Sequence, residues 1–292
     1  MRINRKDLKR QAREAMKLTS PKFWIICLVY LVLTSGVDGL LQLLSSTLSG
    51  DEMFSFFGFF TDILYTLYSL VIQFGFTLWA LWTWRKLNPG MGSLIQGFSI
   101  TGRVLVMELL IFLKVLLWTL LISIVLTLLV MAMPLSLLNN ILVYLGLLGI
   151  VYAAVFIFML RYAMAPYLLA DRPDDGPGPA VQRSVEMMRG RKWELFKLDL
   201  SFLGWEIINF LLLGVVLLFS LYRSGLLTPY VTMDSLPLYS AALNSTFTVL
   251  LSSLVTLPLS LWLTPYMAVS RAGFYDHLCQ LGPVDSEQMP SL

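Results

Sequence analysis

The chain has 292 residues, of which 57% are apolar and 13% charged. Soluble domains carry about 25% charged residues, so this composition excludes a soluble globular protein of this length. The net charge of +3 is small, and its placement along the chain says more than its size. Each membrane-crossing helix takes roughly 20 residues, so six spans with short loops fit one membrane domain.

Residues 4 to 18 are basic and read as a helix. Leu8, Ala12, Ala15 and Met16 share one face, and Arg5, Lys6, Lys9, Arg10, Arg13 and Lys17 fill the rest. That pattern fits a helix lying on an anionic membrane surface, or a solvated helix that only orients the first span. Ser20-Pro21 offers an N-cap followed by a first-turn proline. The first span is expected over about 23–44, too long for a signal-peptide core and therefore retained. Asp51 and Glu52 fall in the loop after it. The second span, about 62–84, ends in Trp79, Trp82 and Trp84 ahead of Arg85 and Lys86, which reads as an interfacial aromatic belt and a positive stop.

Asn88-Pro89-Gly90-Met91-Gly92 is a turn, and 93–100 is expected as a short interfacial helix. The third span covers about 104–131 and contains Glu108 and Lys114. A turn at Pro134, Asn139 and Asn140 leads to the fourth span, about 141–164. A loop rich in Asp, Gly and Pro (171–179) then opens an amphipathic surface helix carrying Ala180, Val181, Val185 and Met188. The stretch 187–205 holds Arg189, Arg191, Lys192 and Lys197 around Trp193 and Phe196, then turns apolar. Basic cluster, aromatic anchor and apolar run mark entry into a bilayer from the cytoplasm. The fifth span is expected at about 198–222 and the sixth at about 246–268, with Pro258 and Pro265 breaking or ending it. The membrane domain thus covers 1–276, and 277–292 form a polar tail.

Orientation follows from the basic residues. With six spans and both termini cytoplasmic, 19 of the 21 lysines and arginines fall on the cytoplasmic side; Lys114 and Arg223 are the exceptions. The expected fold is therefore all-α, a polytopic membrane bundle of six transmembrane helices, with amphipathic surface helices and cytoplasmic N and C termini.

Lys114 and Glu206 each fall roughly 12 to 15 Å from the cytoplasmic edge of their spans. A charge at that depth costs about 2.5 kcal/mol or more unless it is paired or faces water. The two are therefore expected to pair, with Asn209 nearby, as a structural link or as a substrate- or proton-coupled site. Asp199 and Glu206 lie seven residues apart on one helical face, with Asp199 at headgroup level in reach of hydration or Arg161. Pro166-Tyr167 and Pro265-Tyr266 read as helix exits on the cytoplasmic side, where a tyrosine suits the interface. Trp193, Lys197, Asp199 and Trp205 mark the membrane entry. Contact is expected between the cytoplasmic loop, the Pro166 exit and the third span.

Other chemistry finds little support. Asp171, Asp174 and Asp175 suit a Gly- and Pro-rich turn better than a metal site. One histidine and two distant cysteines, Cys27 and Cys279, exclude a disulfide framework and histidine-rich metal sites. GPGP lacks the preceding strand and following G-K-[ST] of a phosphate loop. Asn244-Ser245-Thr246 fits a glycosylation triplet that also arises by chance. No catalytic residue, metal or cofactor is expected, and no nucleic-acid motif is present.

Four segments resemble a bacterial integral-membrane family, domain-of-unknown-function family 975: RKDLKRQAREAMK (5–17), RYAMAPYLLADRPD (161–174), SVEMMRGRKWELFKLDLSFLGW (184–205) and PYMAVSRAGFYD (265–276). They occur in the family's order. The resemblance implies a helical membrane protein of unassigned role and supplies no catalytic residues. The expected function is a non-enzymatic scaffold or accessory subunit of the cell (plasma) membrane. Its partners would be the lipid bilayer and another membrane protein. The alternative is a transporter or permease that uses the Lys114/Glu206 region.

Overall fold

The computed structural model describes residues 4–48, 52–131, 133–134, 141–227 and 235–281. Every regular element among them is helical. Five helices are long and apolar enough to cross a membrane: Phe23–Leu41, Gly58–Trp84, Ser93–Met131, Leu203–Arg223 and Thr246–Leu281. The helix expected as the fourth span contributes a shorter apolar stretch, Leu145–Met159. Asp51 and the turn at Asn139 and Asn140 lie outside the described residues.

Helix α1 spans Arg5–Lys17, capped by Asn4, whose side chain accepts from the Lys6 N–H. Its apolar face does not lie on lipid or water. Leu8, Ala12, Ala15 and Met16 are each at most 3% exposed, buried against the fourth and last helices of the chain. The apolar face thus docks on the protein's own core, which neither expected setting for this helix foresaw. Four small or flexible side chains suffice, because a thin apolar stripe can be closed by a closely approaching partner.

Helix α2 (Phe23–Leu31) has Lys22 at its N-cap, two residues after the expected cap Ser20. Ser20-Pro21 is a cis peptide ahead of the helix, and the Ser20 N–H donates to Asn88 Oδ1 at 2.7 Å. The first span continues through a π turn, Val32–Gly36, into α3 (Val37–Leu48). A π turn disturbs the regular carbonyl ladder. Here Thr34 O accepts from the Tyr65 hydroxyl at 3.3 Å, a bond to the next helix.

Helix α4 (Glu52–Trp84) has 33 residues, about 50 Å at 1.5 Å each. That exceeds the roughly 30 Å of a hydrocarbon layer. Glu52 begins this helix instead of lying in a loop. Trp79 is fully buried, and Ala80 and Leu81 with it. The expected aromatic belt is therefore protein core. The Trp79 ring stacks on Phe76 of the same helix at 5.2 Å, and Trp84 packs against Gly273 of the last helix, where a Cβ would meet its ring at 2.6 Å.

After the 85–92 turn the chain folds back along α4 as α5 (Ser93–Gln96) and a 3-10 turn (Gly97–Ile100), the short helix expected there. Glycine makes the contact possible. A Cβ on Gly75 would sit 2.0 Å from Leu94 O, and one on Gly97 2.6 Å from Val71 O. Helix α6 (Thr101–Met131) follows, buried only along its first turns at Val104, Met107 and Ile111.

The remaining elements are α7 (Ile141–Met159), α8 (Ala165–Asp171), α9 (Pro177–Met187), α10 (Lys192–Leu200), α11 (Leu203–Arg223), α12 (Leu236–Leu243) and α13 (Thr246–Leu281). The expected fifth span is broken at Ser201-Phe202 into α10 and α11. The expected sixth span is not broken: α13 runs 36 residues with Pro258 and Pro265 inside it. It also continues beyond Asp276 to Leu281, so the first residues assigned to the tail are helical, and 282–292 lie outside the described residues.

The buried side chains gather at one end. One cluster joins α1, the last turns of α4, the start of α6, α8, α9, α10 and the second half of α13. Away from it, α6, α11 and the first half of α13 expose large apolar side chains, among them Leu117, Leu128, Phe210, Leu211 and Leu250. At the far end, Thr248 Oγ1 donates to Ser220 Oγ at 2.7 Å, joining α13 to α11. Ser245 of the Asn244-Ser245-Thr246 triplet accepts from the Thr248 N–H, an N-capping role.

Candidate functional site

Polar chemistry is concentrated at the packed end, around Arg85. Helix α4 closes with the Leu87 N–H donating to Trp82 O at 2.9 Å and the Lys86 N–H to Thr83 O at 3.0 Å. Lys86 takes the left-handed position of this motif (φ 58), where glycine is usual. The closure aims Arg85 between α8 and α13. Its Nη1 donates to Asp171 Oδ1 at 2.6 Å and its Nη2 to Asp171 Oδ2 at 2.8 Å. Nε and Nη2 both donate to Asp276 Oδ1, at 3.1 and 2.8 Å. One guanidinium thus joins three helices with four charge-assisted hydrogen bonds.

Tyrosines close the back of the brace. The Tyr275 hydroxyl donates to Asp171 Oδ2 at 2.9 Å, and the Tyr275 ring stacks on Tyr167 at 5.4 Å. The bond to Asp171 holds the Arg85 guanidinium above its ordinary pKa, with burial opposing and Asp276 assisting. Burial pushes the Tyr167 phenol up to about 12. Beside the brace lies an open cleft of about 530 Å³, bordered by Asp171, Arg172, Arg183, Glu186 and Arg189.

A second brace ties α10 to α13, where Arg271 Nε donates to Asp199 Oδ1 at 2.9 Å. Arg271 therefore replaces Arg161 and hydration as the partner of Asp199. Cations of α1 cap the broken end of α10. Lys9 Nζ donates to Ser201 O at 3.1 Å and lies 4.0 Å from the centre of the Phe202 ring, while Arg5 donates to Lys197 O at 3.4 Å. Positive charge at a helix C-terminus meets the free carbonyls and the negative end of the helix dipole. Burial, then Arg13 and Arg5, lower the Lys9 pKa.

The expected contact between the loop that follows the fourth span, the Pro166 region and the third span is formed. Ser184 Oγ accepts from the Met164 N–H at 3.2 Å and donates to Arg161 O at 2.9 Å, and α9 packs on both α8 and α6. The two Pro-Tyr pairs are not helix exits. Pro166 sits in the first turn of α8, and Pro265 is inside α13. They come together: the Tyr167 hydroxyl donates to Ala268 O at 3.5 Å, one turn beyond Pro265-Tyr266. Tyr266 belongs to an aromatic ladder with Phe202, Trp262 and Trp205, each step about 5 Å. Trp193 is exposed and edge-on to Phe196.

The proposed Lys114–Glu206 pair is not formed. Both side chains are exposed, and neither belongs to any of the ion pairs among the described residues. Equal depth does not imply proximity: α6 packs chiefly on α4, α7 and α9, whereas α11 packs on α12 and α13. Asn209 lies about one turn beyond Glu206 on α11, with its Oδ1 buried and without a hydrogen-bond partner among the described residues.

Sequence alone assigns Arg85 to a positive stop, Asp171 to a turn and Asp276 to the last position of the membrane domain. Their association spans 86 and 191 residues, with no local pattern to reveal it. One signal was available: both acids lie in segments that carry the family resemblance. The other loop acids are also structural, Asp174 binding Arg103 and Asp175 binding Arg183. No cluster of metal-ligating side chains exists among the described residues.

Long apolar helices joined at one end by ion pairs and aromatic packing define an all-helical protein of membrane-spanning dimensions. The chain belongs to the family described as protein of unknown function (DUF975), whose model matches residues 1–245. The fourth resembling segment, 265–276, lies beyond that match. No curated protein and no solved structure matches the chain.

Proposed function

We propose that the chain is a multi-pass protein of the cell (plasma) membrane that serves as a non-enzymatic scaffold or accessory subunit. The observation that carries this reading is the use of polar groups at the packed end. Arg85, Asp171, Asp276, Arg271, Asp199 and Ser184 all bind across helices, so their hydrogen-bonding capacity goes into holding the assembly together. Six spans with both termini cytoplasmic remain the topology we favour. Helix α7 has 19 residues, about 28 Å, close to the hydrocarbon thickness. The basic residues of α1, α9 and α10 all lie at the packed end, in keeping with the positive-inside rule.

The test is affinity purification of the full chain from its native membranes, with mass spectrometry of what is retained. A stoichiometric membrane-protein partner is the expected result. Cysteine-accessibility mapping should place Leu18 and Leu281 on the same side of the membrane, and opposite labelling would overturn the six-span topology. Solute movement into liposomes that contain this chain alone would replace the scaffold reading with the transporter one.

A further inference from the structure

With its apolar face buried, α1 turns Lys6, Lys9 and Arg13 to the other side. Their spacing of three and four residues sets them on one helical face. All three border one groove of about 650 Å³. Its opposite wall is apolar and aromatic: Trp205 of α11 and Pro258, Leu259, Trp262 and Tyr266 of α13. Pro258 to Tyr266 is eight residues of helix, so this wall is about 12 Å long. Among the described residues, no carboxylate borders the groove.

The three cations are not equally engaged. Lys9 is turned toward Ser201 and Phe202. Lys6 and Arg13 are exposed and enter no ion pair among the described residues. Arg13 lies 5.9 Å from the Tyr266 ring, at the junction of charge and aromatic wall. The groove also lies where the packed core gives way to helices with exposed leucines and phenylalanines.

We propose that this groove binds one anionic glycerophospholipid, its phosphate at Lys6 and Arg13 and an acyl chain along Trp205, Leu259 and Trp262. Charge complementarity selects an anion, and the apolar wall selects an anion that carries a hydrocarbon tail. Free phosphate would leave the wall uncovered. Tryptophan and tyrosine suit the headgroup boundary, where one edge is wet and the other apolar. This proposal rests on the bilayer-embedded reading given above and names the lipid that such a protein would hold.

The experiment is native mass spectrometry of the full chain released from nanodiscs with equal phosphatidylglycerol and phosphatidylcholine. One phosphatidylglycerol should be retained per chain in preference to phosphatidylcholine. Replacing Lys6→Gln together with Arg13→Gln should cut that preference roughly tenfold, given the attraction of each basic side chain to anionic headgroups. Lys6→Arg with Arg13→Lys should keep it, and Trp262→Ala should lower retention of both lipids. Equal retention of the two lipids by the unaltered chain would overturn the proposal. So would a glutamine pair indistinguishable from wild type, or displacement of the lipid by millimolar inorganic phosphate. Failure to enter nanodiscs at all would be seen before any lipid is counted. That outcome would overturn the bilayer reading, and the lipid site with it.

Discussion

Arg85 grips Asp171 in a two-pronged pair, Nη1 to Oδ1 at 2.6 Å and Nη2 to Oδ2 at 2.8 Å, while sharing Nε and Nη2 with Asp276. The side chains are 23 to 30% exposed, so the pair is partly desolvated. Removing the guanidinium leaves two half-buried carboxylates facing each other. Arg85→Gln should therefore lower stability by about 2 kcal/mol, below the range for fully buried pairs because water still screens this one. Arg85→Lys should recover little, since an ammonium cannot make the paired geometry. Thermal unfolding of the detergent-solubilised chain is the measurement. Arg103→Gln, which breaks an exposed pair with Asp174, is the control and should cost less than about 1 kcal/mol. Equal losses would show that the brace is not structural.

Two glycines should respond in opposite ways to alanine. A Cβ on Gly75 would fall 2.0 Å from a backbone oxygen of α5, whereas one on Gly146 of α7 meets nothing within 4 Å. Gly75→Ala must push α5 off α4 and should cost about 3 kcal/mol. Gly146→Ala should be neutral or stabilising by roughly 0.5 kcal/mol, because alanine restricts the unfolded chain. Limited proteolysis of the 85–92 turn would report displacement of α5. Resistance equal to wild type in Gly75→Ala would contradict the close contact.

Lys114 and Glu206 should behave as independent sites. In a double-mutant cycle with Lys114→Met and Glu206→Gln, the coupling energy should stay within about 0.5 kcal/mol. A coupling well above that value would mean that the two charges meet in the membrane after all.

Tyr167 should give the protein an alkaline signature. The ordinary phenol pKa is 10.0, and burial raises it here to about 12. The folded protein therefore keeps a proton that the unfolded chain releases. The stability contributed by this group is complete below pH about 10 and is lost as pH rises through about 12. Absorbance titration of phenolate in wild type minus Tyr167→Phe should place the difference near the upper value. The fall in thermal midpoint across this window should be shallower in Tyr167→Phe. A difference spectrum centred near 10 would refute the burial of Tyr167.

Much of the local structure was legible along the chain. The lengths of the apolar runs, the turn at Asn88-Pro89-Gly90, the short helix after it and the basic amphipathic α1 all follow from periodicity and turn chemistry. The contact of Ser184 with the Pro166 region also lay within reach, since those segments carry the family resemblance. What could not be read was the surface on which each apolar face rests. Trp79, Trp82 and Trp84 next to Arg85 have the composition of an interfacial belt, but Trp79 is fully buried. Lys114 and Glu206 share a depth but stand on helices with different neighbours.

Sequence by itself determined an all-helical chain with long apolar helices, because backbone groups without water must be satisfied within the helix. It also determined where positive charge accumulates. Only the tertiary structure decided that α1 docks on α4 and α13, that Arg85 joins Asp171 to Asp276, and that Lys6 and Arg13 face an aromatic wall. The physical reason is that a leucine-rich face is equally content against lipid or against another helix. An ion pair across 191 residues likewise has no local period to announce it. The choice among apolar surfaces is made by shape, as at Gly75 and Gly273, and shape exists only once the helices have met.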